Sequence, residues 1–130
     1  MMPNNLAAIS EHLQFLGYKI ETIDDQSFAA THPRKPNIVV KHFDMGTQLT
    51  SPFWVTEAAE ADRIGYLEAV NQANRKTTIC RYISGVNKDL YIVTWFLREY
   101  ERTAFATFLD LWDCDTVGLF QQLDLRSYVG

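Results

Sequence analysis

Cysteine is scarce in this chain: Cys80 and Cys114 are the two in 130 residues. With no short spacing between them, they exclude a disulfide framework, a CxxC redox pair and a zinc knuckle, and both are expected reduced in or near the core. The six glycines are dispersed, and no GxSxG, Walker or GxGxxG pattern occurs, so neither a nucleophile elbow nor a phosphate cradle is available. No apolar run approaches the ~20 residues of a membrane span. Met1-Met2-Pro3-Asn4-Asn5 lacks the basic flank and apolar stretch of a signal peptide, which makes the cytoplasm the expected location. Lysine and arginine together number 12 against 16 acidic residues, and they are scattered from Lys19 to Arg126. Without a basic stripe on which to release counterions, nucleic acid is not expected as a partner.

What is present is apolar material, 47% of the residues, with 13% aromatic, and no composition shift or internal repeat divides it. One domain over 1–130 is expected. Leu6, Ile9, Leu13 and Leu16 recur at helical spacing before Gly17, which predicts a helix over 4–16 with a glycine C-cap. The period then becomes two, with strands near 18–23, 27–32, 37–43 and 48–54. A second helix is expected over 57–74, capped by Thr56 with Glu57 and Glu60 at its positive end. Strand-like runs at 77–84 and 90–100 flank the polar loop Gly85-Val86-Asn87-Lys88-Asp89. Phe105, Phe108, Leu109 and Trp112 mark a last helix, and Val117 to Leu123 a further turn or two. Hairpin-length links favour antiparallel pairing. The expected fold is α+β: a curved antiparallel sheet of about five strands with three helices, in the order α-β-β-β-α-β-β-α.

Chemistry-bearing clusters are thin. Asp110, Asp113 and Asp115 place three carboxylates within six positions, a pattern that can hold calcium, but a loop starting at Asp113 offers Val117 at its fifth position and Asp124 at its twelfth. The competing reading makes them helix-end carboxylates, with Asp115 capping the following turn. His12, His32 and His42 show no metal-ligand spacing, and Cys80 lies mid-strand in Ile79-Cys80-Arg81, where a small thiol packs. Pairs such as Glu99 with Asp110, or Asp62 with Glu68, have no readable separation. No catalytic residue, cofactor or metal is assigned.

The most informative segment is 90–97. Leu90, Ile92 and Phe96 fall on one side of a strand and Tyr91, Val93, Trp95 and Leu97 on the other, so both sides are apolar where a half-solvated strand would alternate. Phe53-Trp54 and Ile38-Val39-Val40 show the same lack of alternation. Either helices cover both faces or one face is an interface. In the second case Trp54, Tyr91, Val93, Trp95 and Leu97 are the partner-binding candidates, since aromatic anchors dominate protein contacts. In the first, Trp95 packs beneath the last helix against Phe105, Phe108 or Trp112.

The helix end Leu16-Gly17-Tyr18, the run Asn37-Ile38-Val39-Val40, the segment Tyr66-Leu67 with Val70-Asn71-Gln72-Ala73-Asn74, and Leu90-Tyr91-Ile92-Val93 together resemble the YbjN-like family. These are small bacterial proteins whose fold is similar to that of type III secretion chaperones. The resemblance spans about residues 6 to 113. It implies an α+β sandwich without a cofactor, often homodimeric, that binds protein segments along an apolar surface. The expectation is therefore a non-catalytic, chaperone-like or regulatory adaptor working as a homodimer, with another protein or peptide as a further partner. One alternative is a ligand-binding or enzymatic cup with an aromatic-lined pocket near Arg81, His42 or Tyr82; another is a structural subunit of a larger assembly.

Overall fold

A computed structural model describes residues 2–118 and 124–130. Helix α1 (Asn4–Phe15) is followed by β1 (Lys19–Asp24), β2 (Ser27–His32), β3 (Lys35–Phe43) and β4 (Gly46–Trp54). Helices α2 (Glu57–Ala61) and α3 (Arg63–Lys76), strands β5 (Arg81–Ser84) and β6 (Asp89–Phe96), and helix α4 (Arg102–Asp113) complete the order. The strands form one antiparallel sheet in the order β1-β2-β3-β4-β6-β5. The class is the expected α+β with an all-antiparallel sheet. The sheet has six strands instead of about five: all four ranges read before the second helix form strands, where the expected order counted three.

Helix α1 ends as its sequence predicts, with Gly17 at φ 97°, a left-handed conformation that costs glycine nothing. Gly46, at the turn between β3 and β4, answers a close approach: a β-carbon there would sit 2.8 Å from the Phe96 carbonyl oxygen.

The predicted helix over 57–74 is two helices. Asp62 leaves helical geometry at φ −125°, ψ 66°, and its carboxylate accepts the Gly65 amide at 3.1 Å, so it caps α3 while ending α2. Thr56 makes no side-chain cap; its hydroxyl instead donates to the Ser127 carbonyl at 3.2 Å.

The predicted strand 77–84 is also shorter, and the reason is Asp115. A π-helical turn, Cys114–Gly118, follows α4 and delivers the buried Asp115 carboxylate to the amides of Thr78 (2.9 Å), Ile79 (2.7 Å) and Cys80 (2.9 Å). Donors committed to a carboxylate cannot also join a β-ladder, so β5 begins only at Arg81. Asp115 is thus not the cap of its own following turn, as its sequence position suggests, but of a segment 35 to 37 residues earlier. The Tyr82 hydroxyl donates to the Asp115 carbonyl, and burial pushes both the Tyr82 phenol and the Cys80 thiol up, with Asp115 adding to each. Cys80 is buried as expected, whereas Cys114 is exposed. Of the further turn expected over Val117 to Leu123, residues 119–123 lie outside the described part.

Leu6, Ile9 and Leu13 of α1, Tyr66, Val70 and Ala73 of α3, and Phe105, Phe108, Leu109 and Trp112 of α4 form one core with Phe28, Ala30, Ile38, Val40, Leu49, Tyr82, Leu90, Ile92 and Phe96 of the sheet. Two polar residues on this inner face have partners of their own: the Ser51 hydroxyl donates to the Asn37 carbonyl at 2.6 Å and that of Thr94 to the Ile79 carbonyl at 3.0 Å.

Asp115→Asn replaces an acceptor by a group that turns a donor toward three amides, and it should lower unfolding free energy by about 2–4 kcal/mol, read from urea denaturation at constant m-value. Burial, reinforced by the Asp113 charge, pushes Tyr18 from 10.0 up to about 12. The fold favours its neutral form, so this contribution to stability is complete below pH 10.0 and disappears as pH rises through about 12. The urea midpoint should fall across that window in wild type, and less steeply in Tyr18→Phe.

Candidate functional site

Period-two alternation sends the odd-numbered residues of β6 away from the helices. Tyr91, Val93 and Trp95 lie on the outer face of the sheet, opposite the core-facing Leu90, Ile92, Thr94 and Phe96. Register places their neighbours: Trp95 beside Gln48, Val93 between Thr50 and Arg81, Tyr91 between Pro52 and Ile83. Val39 and Lys41 continue the same face on β3, and Ala29 and Ser27 on β2. Among the described residues no helix packs on this face, because the apolar faces of α1, α3 and α4 all belong to the core on the other side.

Val93 is 7% exposed and stands outside the core cluster. Trp95 is half-buried and stacks obliquely on Phe43 with ring centroids 5.0 Å apart, while the Lys41 ammonium lies 5.2 Å from the Phe43 centroid. The aromatic under α4 is the next residue: Phe96 meets Phe105 edge-on at 5.2 Å and Phe108 at 5.1 Å. The reading that put Trp95 beneath the last helix is therefore corrected by one step of the strand period.

Trp54, at the end of β4 beside Asp89, is 72% exposed, and Leu97, one residue past the end of β6, is 62% exposed. All five partner-binding candidates thus sit on or at the margin of the outer face, where Ile83, Val39 and Phe43 join them. Val39 belongs to the non-alternating run Ile38-Val39-Val40, whereas Ile83 and Phe43 carry no sequence mark of their own; register puts all three on the same face as the outward residues of β6. An open cleft of about 480 Å³ at one end of the face is lined by Pro52, Trp54, Tyr91 and Asp89, whose carboxylate accepts the Tyr91 hydroxyl and raises its pKa.

The other candidates are dispersed. Asp110 is exposed, Asp113 pairs with Lys35 at 2.9 Å and Asp115 holds its three amides, so the three carboxylates face different surroundings. His12 Nδ1 lies 2.8 Å from the Tyr100 hydroxyl, and burial, then the Arg102 charge, lowers its pKa. His32 Nδ1 accepts the Arg34 amide at 3.0 Å. His42 lines an open cleft of about 620 Å³ between the start of α1 and the β3–β4 turn. Arg81 stands on the outer face and Tyr82 in the core, so Arg81, His42 and Tyr82 do not form the cup proposed for them. Asp62 is engaged with Gly65 and Tyr128. No described helix is long and apolar enough to cross a membrane.

No family model matches the sequence, nor does any curated protein. The crystal structure of YbjN from E. coli, a proposed transcription regulator, superposes with a TM-score of 0.70 over 100% of this chain and 98% of that one, at 11% sequence identity. A likeness at that identity is one of fold, and it agrees with the resemblance drawn from the four sequence segments. The chain is similar to YbjN in fold from end to end.

Proposed function

We propose that this protein is a non-catalytic binding module, a chaperone-like or regulatory adaptor, that works as a homodimer through the outer face of its sheet. The observation that carries this reading is the apolar outer face of the sheet, with Trp54 and Ile83 exposed and Tyr91, Trp95, Val39 and Phe43 half-buried, which no described helix covers. Contiguous apolar surface of this kind on a soluble domain marks a contact site. Its aromatic anchors suit a protein partner, since Trp and Tyr fill large buried area at low entropic cost. Arg81 and Glu21 are exposed at the two edges of the face, and Lys41, between Val39 and Phe43 on β3, is exposed within it. A regulatory role agrees with the description of YbjN as a proposed regulator. Direct contact with nucleic acid is not part of this reading, because the net charge is −4 and the outer face carries acidic as well as basic residues.

Multi-angle light scattering tests the proposal. Wild type should have twice the 15.0 kDa chain mass. Trp95→Arg should give a folded monomer with unchanged far-UV circular dichroism and unfolding free energy within about 1 kcal/mol of wild type, as for a surface substitution. Phe96→Arg, one residue along, should unfold the domain by burying an unpaired charge beside Phe105 and Phe108. A wild type that stays monomeric at high concentration, or a Trp95→Arg variant that remains dimeric, rejects the reading.

A further inference from the structure

The outer face is lopsided. Along β6 it carries Tyr91, Val93 and Trp95; along β2 it carries Ser27, Ala29 and Thr31. In the order β1-β2-β3-β4-β6-β5 the midline falls between β3 and β4, so β6 and β2 each lie second from an edge, at equal distance from the centre. One row across the sheet differs in charge at its two ends. Arg81, Val93, Thr50, Val39, Ala29 and Glu21 are successive register partners from β5 to β1, a single row across the sheet. It begins with a cation, ends with an anion and is uncharged between. Both ends are exposed, and neither has an ion pair among the described residues.

Resting on the reading of this face as the dimer surface, the geometry points to one arrangement: two copies face to face about a two-fold axis that runs parallel to the strands, between β3 and β4. This operation exchanges the two halves of the sheet. Strand β6 lies over the partner's β2, so Tyr91 lies opposite Thr31, Val93 opposite Ala29 and Trp95 opposite Ser27 on both sides, with each aromatic ring facing a smaller side chain. Strand β5 lies over the partner's β1, so Arg81 meets the partner's Glu21 at each end of the row. The contact is isologous, each copy offering the same surface to the other.

The other in-plane axis, perpendicular to the strands, lays β6 on β6 and β5 on β5. Aromatics then collide along one line and leave a gap above Ala29, which sheets about 10 Å apart cannot fill. Arg81 would also approach its own copy. Twist turns the strands of the two sheets roughly 30° apart, which the preferred axis bisects without breaking the pairing of β6 with β2. Rim ion pairs contribute little affinity but set orientation, so the charged ends select the arrangement that the shapes allow.

Sedimentation equilibrium on Arg81→Glu, Glu21→Arg and the double variant tests the arrangement. Each single reversal places like charges together at both ends and should weaken dimerisation about tenfold, less at high salt, while the double variant should return to within about threefold of wild type. Both positions are exposed, so all three proteins should keep the wild-type circular dichroism. Ala29→Trp adds bulk where the partner's Val93 must sit and should give folded monomers. A double variant weaker than either single, or a dimeric Ala29→Trp, overturns the arrangement. If Trp95→Arg still splits that dimer, the outer face remains the dimer surface and only the axis is wrong; a monomeric wild type overturns both.

Discussion

Strand β6 commits Leu90, Ile92, Thr94 and Phe96 to the core, and the pleat then sends Tyr91, Val93 and Trp95 to the opposite side. A one-residue slip would exchange the two sets, so the register with β4 and β5 settles which aromatics become core and which become surface. The rest of the molecule is arranged around that choice. The helices supply apolar stripes enough for one face, and all of them go to the side that holds Phe96 and Leu90. What remains on the other side is an apolar face with Arg81 and Glu21 at its two edges.

Asp115 acts on the neighbouring strand, β5. By holding the amides of Thr78, Ile79 and Cys80, it fixes the segment entering β5 and keeps that strand to four residues. β5 is therefore a short edge, which offers little free ladder for other strands to join. At the opposite edge, β1 presents Lys19, Glu21 and Asp24, charged residues that likewise discourage edge-to-edge pairing. With both edges blunted, the sheet offers its outer face more readily than its edges. The titratable groups singled out in the sequence are spread over separate clefts, a buried cap and an ion pair.

Several errors in reading the sequence share one cause, which is a residue whose partner is distant in the chain. Asp115 has the type and position of a local cap, yet its three amides lie 35 to 37 residues away. Asp62 sits inside an apparently continuous helical pattern and breaks it, since a carboxylate that finds the Gly65 amide caps a new helix more favourably than it extends the old one. Thr56 has the residue type of a cap but spends its hydroxyl on Ser127. Local pattern cannot weigh such competing partners.

Sequence by itself determined the elements and the pairing class, because hydrophobic period and turn residues are local: α1 and its Gly17 cap, the strands up to Trp54, and the loop Gly85 to Asp89 before β6. It also determined that the strand 90–97 is apolar on both sides, and hence that one side needed an explanation. Which side faces the helices, and that Ile83, Val39 and Phe43 join Tyr91, Val93 and Trp95, only the tertiary structure decided. Periodicity sorts residues into two faces but cannot say which face a helix will cover. That choice depends on register and on contacts between residues far apart in the chain, such as Phe96 with Phe105 and Arg81 with Val93.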